Sequence, residues 1–273
     1  MTSAISATDL VLSYGTTIAL DRSTFEIPRG SLTAVIGANG SGKSTVLNGF
    51  AGLAAPAAGT VTIHDNAPVA YVLQATKVNE ALPVTVREVV RMGRYSSLRT
   101  FQRLQRRDRE VIDTAMVDLD ITRLARRHLH ELSAGQRQRV FLAQGIAQDH
   151  EILLLDEPIT GLDITSAQAI EEVIRHATTD GCTVVVTTHD LTSARTADHV
   201  LLMAGRVIAS GPPEEVLTAK NLRTAYGPSL MHPDTETDDL FVDDPAHIPV
   251  PGRHLHRDRT IHVESAETDL HGG

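Results

Sequence analysis

Short apolar segments dominate the first part of the chain. Residues 5–27 contain short β-type runs separated by turn residues, and the apolar run at 32–36 predicts a buried strand. This strand leads directly into a glycine-rich loop and then into a helix expected from about 43 to 53. Residues 59–73 predict two further short strands around Asp65-Asn66. The N-terminal part is therefore expected to be rich in strands and to contain one strand–loop–helix unit.

The pattern changes to helical spacing at residues 84–148. Apolar side chains recur there at intervals of three and four, as in Val86, Val89 and Val90 and again in Val111, Ile112, Ala115 and Met116. Apolar strands at 152–155, 184–187 and 200–203 then alternate with helices. Because strands that alternate with helices form parallel sheets, we expect an α/β core with helices on its faces. A helical insert at about 76–148 interrupts this core.

The periodicity ends after Tyr226, where Pro, Asp, His and Gly dominate. We therefore expect one folded unit at 1–227 and an acidic, largely disordered tail at 228–273. The whole chain has a formal net charge of −9, and the part from Ser229 onward carries ten Asp and Glu against three Arg. The body that precedes the tail is nearly neutral, which argues against nucleic acid as a partner.

Composition narrows the class of protein further. Aromatic residues make up only 3% of the chain and Trp is absent, so the core is expected to be aliphatic. Cys182 is the only cysteine, which excludes an intrachain disulfide and suits a reducing compartment. The N terminus shows no basic segment followed by an apolar block, and no run approaches the ~20 apolar residues of a spanning helix. Neither a signal peptide nor a membrane span is expected.

The loop after the first predicted core strand matches the pattern GxxxxGK[ST] at residues 37–44. Its glycines allow several backbone amides to point inward, and the helix that follows adds its positive N-terminal end, so the loop suits a phosphate group. A chance glycine-rich turn is the alternative, but here the strand and the helix are both in place. The predicted nucleotide-binding residues are Gly37, Asn39, Gly40, Ser41, Gly42, Lys43, Ser44 and Thr45, with Lys43 on the β- and γ-phosphates and Ser44 on Mg²⁺.

The strand at 152–155 ends in two acids, Asp156 and Glu157. A parallel strand delivers its last side chains to the same edge of the sheet as the phosphate loop. Asp156 is then placed to bind Mg²⁺, usually through water, and Glu157 to polarise an attacking water. In isolation this pattern describes a solvated turn, but together with the phosphate loop it indicates a nucleoside triphosphatase.

Residues 132–136, with the sequence LSAGQ, resemble the LSGGQ signature of ABC-type ATPases. Ser133 is a suitable N-cap for the helix that follows. Four more residues resemble family positions in the family's order: Tyr14 (the aromatic that stacks on adenine), Gln74 (the Q-loop), Asp163 in Gly161-Leu162-Asp163 (the D-loop) and His189 (the switch histidine). Over about residues 1–225 the chain is similar to the ATP-binding subunits of ABC transporters.

This resemblance implies a fold and a mechanism. The implied fold is α/β, a P-loop NTPase of ABC type with a parallel-sheet core, an antiparallel β subdomain and a helical subdomain. Two copies of the chain would face each other, with each ATP held between one phosphate loop and the signature of the other copy. The implied roles are Glu157 as general base, His189 orienting water and γ-phosphate, Lys43 on the phosphates, Ser133, Gly135 and Gln136 at the other copy's ATP, Asp163 coupling the two sites, and Gln74 with Ser44 and Asp156 at Mg²⁺ or its water.

One signature position departs from the family pattern. Ala134 stands where the family usually has Gly. If that residue requires a positive φ, alanine costs about 1 kcal/mol, while its amide stays available. We expect modest tuning of the activity and not its loss.

The resemblance also implies partners and a location. Integral-membrane permease subunits would dock on the helical subdomain, and an extracytoplasmic binding protein would belong to the same system, which places the chain at the cytoplasmic face of the membrane. Residues 82–95 and the Arg-rich part at 99–109 are similar to ATPases of zinc, manganese and iron-chelate importers. Residues 82–165, including 128–132 and 144–150, most resemble zinc-importer ATPases of actinobacterial type, with manganese second and ferric siderophore third. A generic solvated insert and an exporter ATPase are the alternatives.

A non-transport ABC ATPase, acting on chromosomes or the ribosome, is a further alternative. The short separation of Gln74 and Ser133 leaves no room for a long coiled coil, and the chain has only one nucleotide-binding unit. The tail adds one more open question, because six of its residues are histidines: His232, His247, His254, His256, His262 and His271. They could bind Zn²⁺ weakly with the surrounding acids, but a charged, solvated tail is the favoured interpretation.

Overall fold

The computed structural model describes residues 2–73, 83–95 and 103–227, together with the backbone of 231–233 and 240–242. Its strands are β1 (Ser3–Tyr14), β2 (Thr17–Pro28), β3 (Leu32–Gly37), β4 (Pro56–Ile63), β5 (Val69–Val72), β6 (Ile152–Leu155), β7 (Thr183–Thr188), β8 (His199–Met203), β9 (Val207–Gly211), β10 (Met231–Pro233) and β11 (Leu240–Val242). Its helices are α1 (Lys43–Phe50), α2 (Val86–Met92), α3 (Arg106–Asp118), α4 (Ala134–Ile146), α5 (Ile164–Thr179), α6 (Leu191–Arg195), α7 (Pro213–Val216) and α8 (Ala219–Tyr226).

The central sheet has six strands in the order β5-β6-β7-β3-β8-β9. The first five run parallel to their neighbours, which confirms the predicted parallel core and its strands at 32–36, 152–155, 184–187 and 200–203. The edge strand β9 pairs antiparallel to β8. The hydrophobic pattern did not predict β9, because none of its residues is fully buried and its sequence lacks apolar alternation.

A second sheet has three antiparallel strands in the order β2-β1-β4. Strands β1 and β2 have 12 residues each, longer than the short runs expected at 5–27. Shifts of register between them let two long, twisted strands stay paired. The two strands predicted at 59–73 are present as β4 and β5, but they belong to different sheets and a short 3-10 turn, His64–Asn66, separates them.

The central sheet is covered on both faces, because alternate residues of a strand point to opposite sides. Leu154 and Val185 pack with α1 and the three-stranded sheet. Their neighbours Leu153 and Val184 pack with α2, α3, α4 and α5, and a third cluster joins Ile36 to α6, α7 and α8. Helix α1 ends at Phe50 instead of near residue 53, just before a turn at Gly52. The layered α/β fold is as predicted.

The helical insert contains α2, α3 and α4, and the predicted apolar faces of α2 and α3 are buried in one cluster with α4. Thr85 caps α2 through a capping box with Glu88, in which the Thr85 amide donates to Glu88 Oε2 at 2.8 Å. None of the helices described is both long and apolar enough to cross a bilayer. Gln74, residues 76–82 and residues 99–102 lie outside the described residues, as does the tail apart from the antiparallel pair β10 and β11.

Candidate nucleotide-binding site

The candidate site lies where three neighbouring parallel strands end. In the strand order β6-β7-β3, the carboxyl ends of all three meet at one edge of the central sheet. Strand β3 ends in the phosphate loop, β6 ends just before Asp156, and β7 ends just before His189. Ligands of α/β proteins bind at this edge, because the loops that leave the strands converge there.

The phosphate loop is shaped by close approach of its backbone to other strands. A Cβ atom on Gly37 would lie 2.3 Å from the Met203 carbonyl oxygen, and one on Gly42 would lie 2.5 Å from the Ala19 carbonyl oxygen. Gly42 also has a φ of 98° at the start of α1. Only glycine fits at both positions. The Ser41 hydroxyl is buried in this loop without a hydrogen-bond partner, so a cradle of glycines and an unsatisfied hydroxyl both fit an anionic oxygen.

Lys43 lies inside the loop. Its Nζ atom donates to the carbonyl oxygen of Gly37 at 2.7 Å and to that of Ala38 at 3.2 Å. Burial lowers the pKa of Lys43, and the nearby carboxylates of Glu157 and Asp156 oppose this effect. The ammonium group is thus held by backbone carbonyls at the phosphate loop, where a phosphate group can replace those weak partners. Asn39 is exposed, and Thr45 is buried on the first turn of α1.

The candidate Mg²⁺ ligands are grouped around the carboxylate of Asp156, a residue that is 1% exposed. Ser44 Oγ donates to Asp156 Oδ1 at 2.9 Å, and Thr187 Oγ1 donates to the same atom at 3.0 Å. A carboxylate and a hydroxyl are the hard oxygen donors that Mg²⁺ prefers. The structure therefore brings Ser44 and Asp156 together, and their chemistry fits the metal.

Glu157 follows directly and has a φ of 47°, a left-handed conformation that is uncommon outside glycine. Its amide donates to Thr187 Oγ1 at 2.8 Å. His189 is exposed one residue beyond β7. Adjacent strands thus carry Glu157 and His189 to the same edge. Thr187 belongs to none of the sequence motifs, and in the sequence it is marked only as a polar residue at the end of an apolar strand.

Tyr14 stands at the end of β1, next to the phosphate-loop helix. Its hydroxyl accepts a hydrogen bond from Asn48 Nδ2 of α1 at 3.0 Å, and 53% of the residue is exposed. The ring is held at its polar end and open elsewhere, which suits stacking on a base.

The signature residues open α4. Ser133 caps this helix: its Oγ accepts from the Gln136 amide at 3.2 Å, and its amide donates to Gln136 Oε1 at 3.1 Å. Both Ser133 and Ala134 are exposed. Ala134 is the first helical residue and does not have a positive φ. The condition under which alanine would cost stability at this position is therefore not met.

Gly135 and Asp163 are in contact within the one chain. A Cβ atom on Gly135 would lie 2.6 Å from Ser166 Oγ and 2.9 Å from Asp163 Oδ2. Asp163 caps α5, and hydrogen bonds from the amide and the hydroxyl of Ser166 lower the pKa of its carboxyl group. The signature and the D-loop thus share a surface, with Ser166 as a connecting residue that the sequence did not indicate.

A glycine-rich phosphate loop, a paired Ser44–Asp156 site and a capped signature helix define a P-loop ATPase of the ATP-binding cassette class. In agreement, the family described as ABC transporter matches residues 20–160. The manganese transport system ATP-binding protein MntB of Listeria innocua is 36% identical over 226 residues, which cover 80% of this chain and 94% of that protein. The zinc transport system ATP-binding protein TroB of Treponema pallidum is 37% identical over 231 residues, 82% of this chain and 87% of that protein.

Solved structures agree with this assignment. An inward-facing metal-chelate type ABC transporter matches with a TM-score of 0.75 and 28% identity, covering 88% of this chain and 96% of that one. A dimeric ATP-binding cassette bound to ADP and phosphate matches with a TM-score of 0.68 and 26% identity, covering 77% and 98%. The chain belongs to the ABC transporter family and is an ATP-binding subunit that hydrolyses ATP.

Proposed function

We propose that this chain powers the import of a metal ion, with zinc as the favoured substrate and manganese or a ferric siderophore as alternatives. The observation that carries the proposal is that relatives named for manganese and zinc transport each align with about four-fifths of the chain at similar identity. A metal-chelate transporter is also among its structural neighbours. An exporter would contain the same catalytic residues and differ only in its membrane partner.

The proposed chemistry assigns a role to each residue at the sheet edge. The amides of the phosphate loop, Ser41 and Lys43 bind the phosphates of ATP, and Tyr14 stacks on the adenine. Ser44 and Asp156, with Gln74, hold Mg²⁺, which supplies charge stabilisation to the phosphates when bound. Glu157 accepts a proton from the attacking water, and His189 orients that water and the γ-phosphate.

The second half of each site is proposed to come from another copy of the chain. Ser133 and Ala134 expose the N-terminal end of α4, whose positive dipole favours the phosphates of an ATP bound by the other copy. The dimeric cassette with ADP and phosphate is a precedent for such a pair. Gly135 and Asp163 are in contact, so a conformational change at the signature is expected to alter the position of the D-loop.

A basic cavity on the helical insert is the proposed contact for a permease. It has a volume of about 520 Å³ and lies between α2 and α3, lined mainly by Arg87, Arg91, Tyr95, Arg103 and Arg109. Arg87 is paired with Asp113 at 2.5 Å. Within the described part of the chain the other three arginines form no ion pair, so the cavity suits a cytoplasmic segment that presents carboxylates.

The permease contact is tested by reversing one charge. Arg91→Glu should lower co-purification with the co-expressed permease at least tenfold and leave basal ATP hydrolysis unchanged. Arg106→Glu, on the exposed side of α3, is the control and should leave both unchanged. Equal co-purification of the two variants would rule this surface out.

The catalytic proposal is tested with Glu157→Gln. We expect ATP hydrolysis to fall by about 10²–10⁴-fold, and the molar mass in solution to double when Mg-ATP is added. Glu172→Gln makes the same chemical change on the exposed face of α5 and should hydrolyse ATP at the wild-type rate. Wild-type hydrolysis by Glu157→Gln would show that Glu157 is not the base.

The substrate is tested in cells that lack this chain. Loss of radioactive zinc uptake, restored by the wild-type chain but not by Glu157→Gln, is the expected result. Normal zinc uptake with loss of manganese or ferric-siderophore uptake would replace zinc by that substrate. Increased retention of a metal would indicate an exporter.

A further inference from the structure

Strand β7 ends in a hydroxyl group that is completely buried. Thr187 is 0% exposed and follows the apolar residues Val184, Val185 and Val186. A hydroxyl at such a position costs free energy unless both its donor and its acceptor capacity are used. Valine would have nearly the same shape but could make neither a donor nor an acceptor hydrogen bond.

Thr187 makes two hydrogen bonds, to Asp156 and Glu157, the two residues that directly follow the neighbouring strand β6. The Glu157 amide donates to Thr187 Oγ1 at 2.8 Å, and Thr187 Oγ1 donates to Asp156 Oδ1 at 3.0 Å. The directions are determined by chemistry, because an amide can only donate and a carboxylate can only accept. The single hydroxyl proton must therefore point at Asp156.

Both partners are held in positions that need support. Glu157 has a φ of 47°, a strained conformation in a residue other than glycine, and Thr187 supplies the acceptor for its amide. Asp156 Oδ1 also accepts from Ser44 Oγ at 2.9 Å, so two hydroxyl groups fix the rotation of this carboxylate. Thr187 lies in β7, two residues before His189, which directly follows the last residue of that strand.

We propose that Thr187 is a positioning residue for ATP hydrolysis. It orients the Asp156 carboxylate toward the metal site and holds the left-handed turn from which Glu157 projects, and it couples both to the strand that carries His189. This inference rests on the metal-binding and general-base roles proposed above for Asp156 and Glu157.

The test compares variants at two threonines of β7. Thr187→Val removes both hydrogen bonds at constant shape, and Thr187→Ser keeps the hydroxyl. Thr183→Val is the matched control: Thr183 is 1% exposed, its Oγ1 accepts from the Gly30 amide at 2.9 Å, and it stands at the opposite end of the same strand. All variants are measured as the full-length chain for kcat, KM for ATP, the Mg²⁺ dependence of nucleotide binding and thermal unfolding.

We expect Thr187→Val to lower kcat about ten- to a hundredfold, with KM for ATP changed less than about threefold. Calorimetry should show that Mg²⁺ strengthens ATP binding less in this variant than in the wild type, while binding without Mg²⁺ is unchanged. Thr187→Ser should restore kcat to within about threefold. Thr183→Val should lose a similar amount of stability but keep kcat. If the valine variant does not fold, Thr187→Cys, with its weaker donor, takes its place and should have a lower kcat than Thr187→Ser.

Two outcomes would overturn the proposal. One is a Thr187→Val variant with wild-type kcat and wild-type Mg²⁺ dependence, and the other is an equal loss of kcat in Thr187→Val and Thr183→Val. Failure of the general-base assignment is separable, because it would appear as normal hydrolysis in Glu157→Gln, whereas the Mg²⁺ dependence of ATP binding by Thr187→Val reports on the metal site at Asp156 and not on the general base.

Discussion

At the scale of single residues, steric fit determines the shape of the phosphate loop. Gly42 cannot carry a side chain, because the carbonyl oxygen that a Cβ atom would meet belongs to the backbone of Ala19 and cannot swing aside. Gly40 has a similar left-handed backbone, but a Cβ atom added to it would meet nothing within 4 Å. A side chain at Gly40 would therefore cause only backbone strain, whereas a side chain at Gly42 would also cause a steric clash.

Alanine at these two positions should have different effects. Gly42→Ala is expected to abolish ATP binding, since the loop must move to relieve the 2.5 Å contact with Ala19. Gly40→Ala should cost only about 1 kcal/mol of strain and weaken binding by about tenfold or less. Isothermal calorimetry with ATP and thermal unfolding provide the comparison. Equal affinities for the two variants would show that the contact with Ala19 does not shape the loop.

A buried histidine provides the clearest pH dependence. His199 is 7% exposed, its Nε2 lies 3.2 Å from Ser210 Oγ, and its Nδ1 is buried without a hydrogen-bond partner. Burial lowers the pKa of His199 below its ordinary value of 6.5. Above that value the ring is neutral in the folded and the unfolded chain, so it has no effect on the pH dependence of stability.

As the pH falls below about 6.5, the unfolded chain binds a proton that the folded chain excludes, and stability is lost until the lowered folded pKa is reached. Replacing the ring by His199→Asn should remove this part of the acid sensitivity. Urea unfolding of both proteins between about pH 7.5 and about pH 5.5 measures it. A variant that loses as much stability as the wild type over this range would contradict the assignment.

At the scale of elements, one arginine ties the helical insert together. Arg94 is 5% exposed; its Nε donates to Asp108 Oδ1 at the start of α3 at 3.0 Å, and its Nη1 donates to the Ala147 carbonyl at the end of α4 at 3.0 Å. A further bond from Nη1 to Asp149 Oδ1 measures 2.7 Å. Hydrogen bonds to Asp149 and Asp108 raise the pKa of Arg94, so it stays charged.

Removing this charge should loosen the whole insert. Arg94→Met leaves the buried Asp108 without its partner, and we expect the free energy of unfolding to fall by about 3 kcal/mol. Arg106→Met, whose side chain is 93% exposed in an i,i+4 pair with Glu110, should change it by less than about 0.5 kcal/mol. Denaturant unfolding measures the free energy of unfolding of both variants. A similarly small decrease in the two would show that Arg94 does not stabilise the helical insert.

At the scale of the whole molecule, the folded body is organised around the central sheet. All residues of the three described hydrophobic clusters lie between Ala4 and Tyr226. The described strands of the tail, β10 and β11, pair with each other and not with the other sheets. The boundary near residue 227 stays a prediction, and every member of the described clusters precedes it.

A chain that ends at Gly227 should therefore fold and hydrolyse ATP. We expect its thermal midpoint to lie within about 2 °C of the full-length value, because no described cluster loses a residue. Differential scanning calorimetry and a steady-state ATPase assay are the measurements. A truncated chain that aggregates, or that unfolds more than about 5 °C earlier, would show that the tail is part of the fold.

The motifs could be predicted from the sequence because each depends on local conformational preferences. The phosphate loop depends on glycine conformation, Ser133 on helix capping, and Asp156 and Glu157 on their position after a buried strand. Each depends on neighbours along the chain, so the parallel core and the residues of the phosphate loop could be predicted without coordinates. The ABC class and the remaining site residues were predicted from the resemblance of the motifs to that family. The apolar spacing also predicted α2 and α3, since helical periodicity is local too, and the cap at Ser133 predicted the start of α4.

Long-range packing decided the rest. Whether Ala134 carries strain depended on where α4 begins, and the contact of Gly135 with Ser166 depended on how α4 lies on α5. The link from Thr187 to Asp156 and Glu157 exists because β7 lies beside β6, although the residues are about 30 positions apart in the chain. The sequence determines local features such as glycine conformation, helix capping and helical periodicity. The contacts named here form only when the sheet brings distant segments of the chain together.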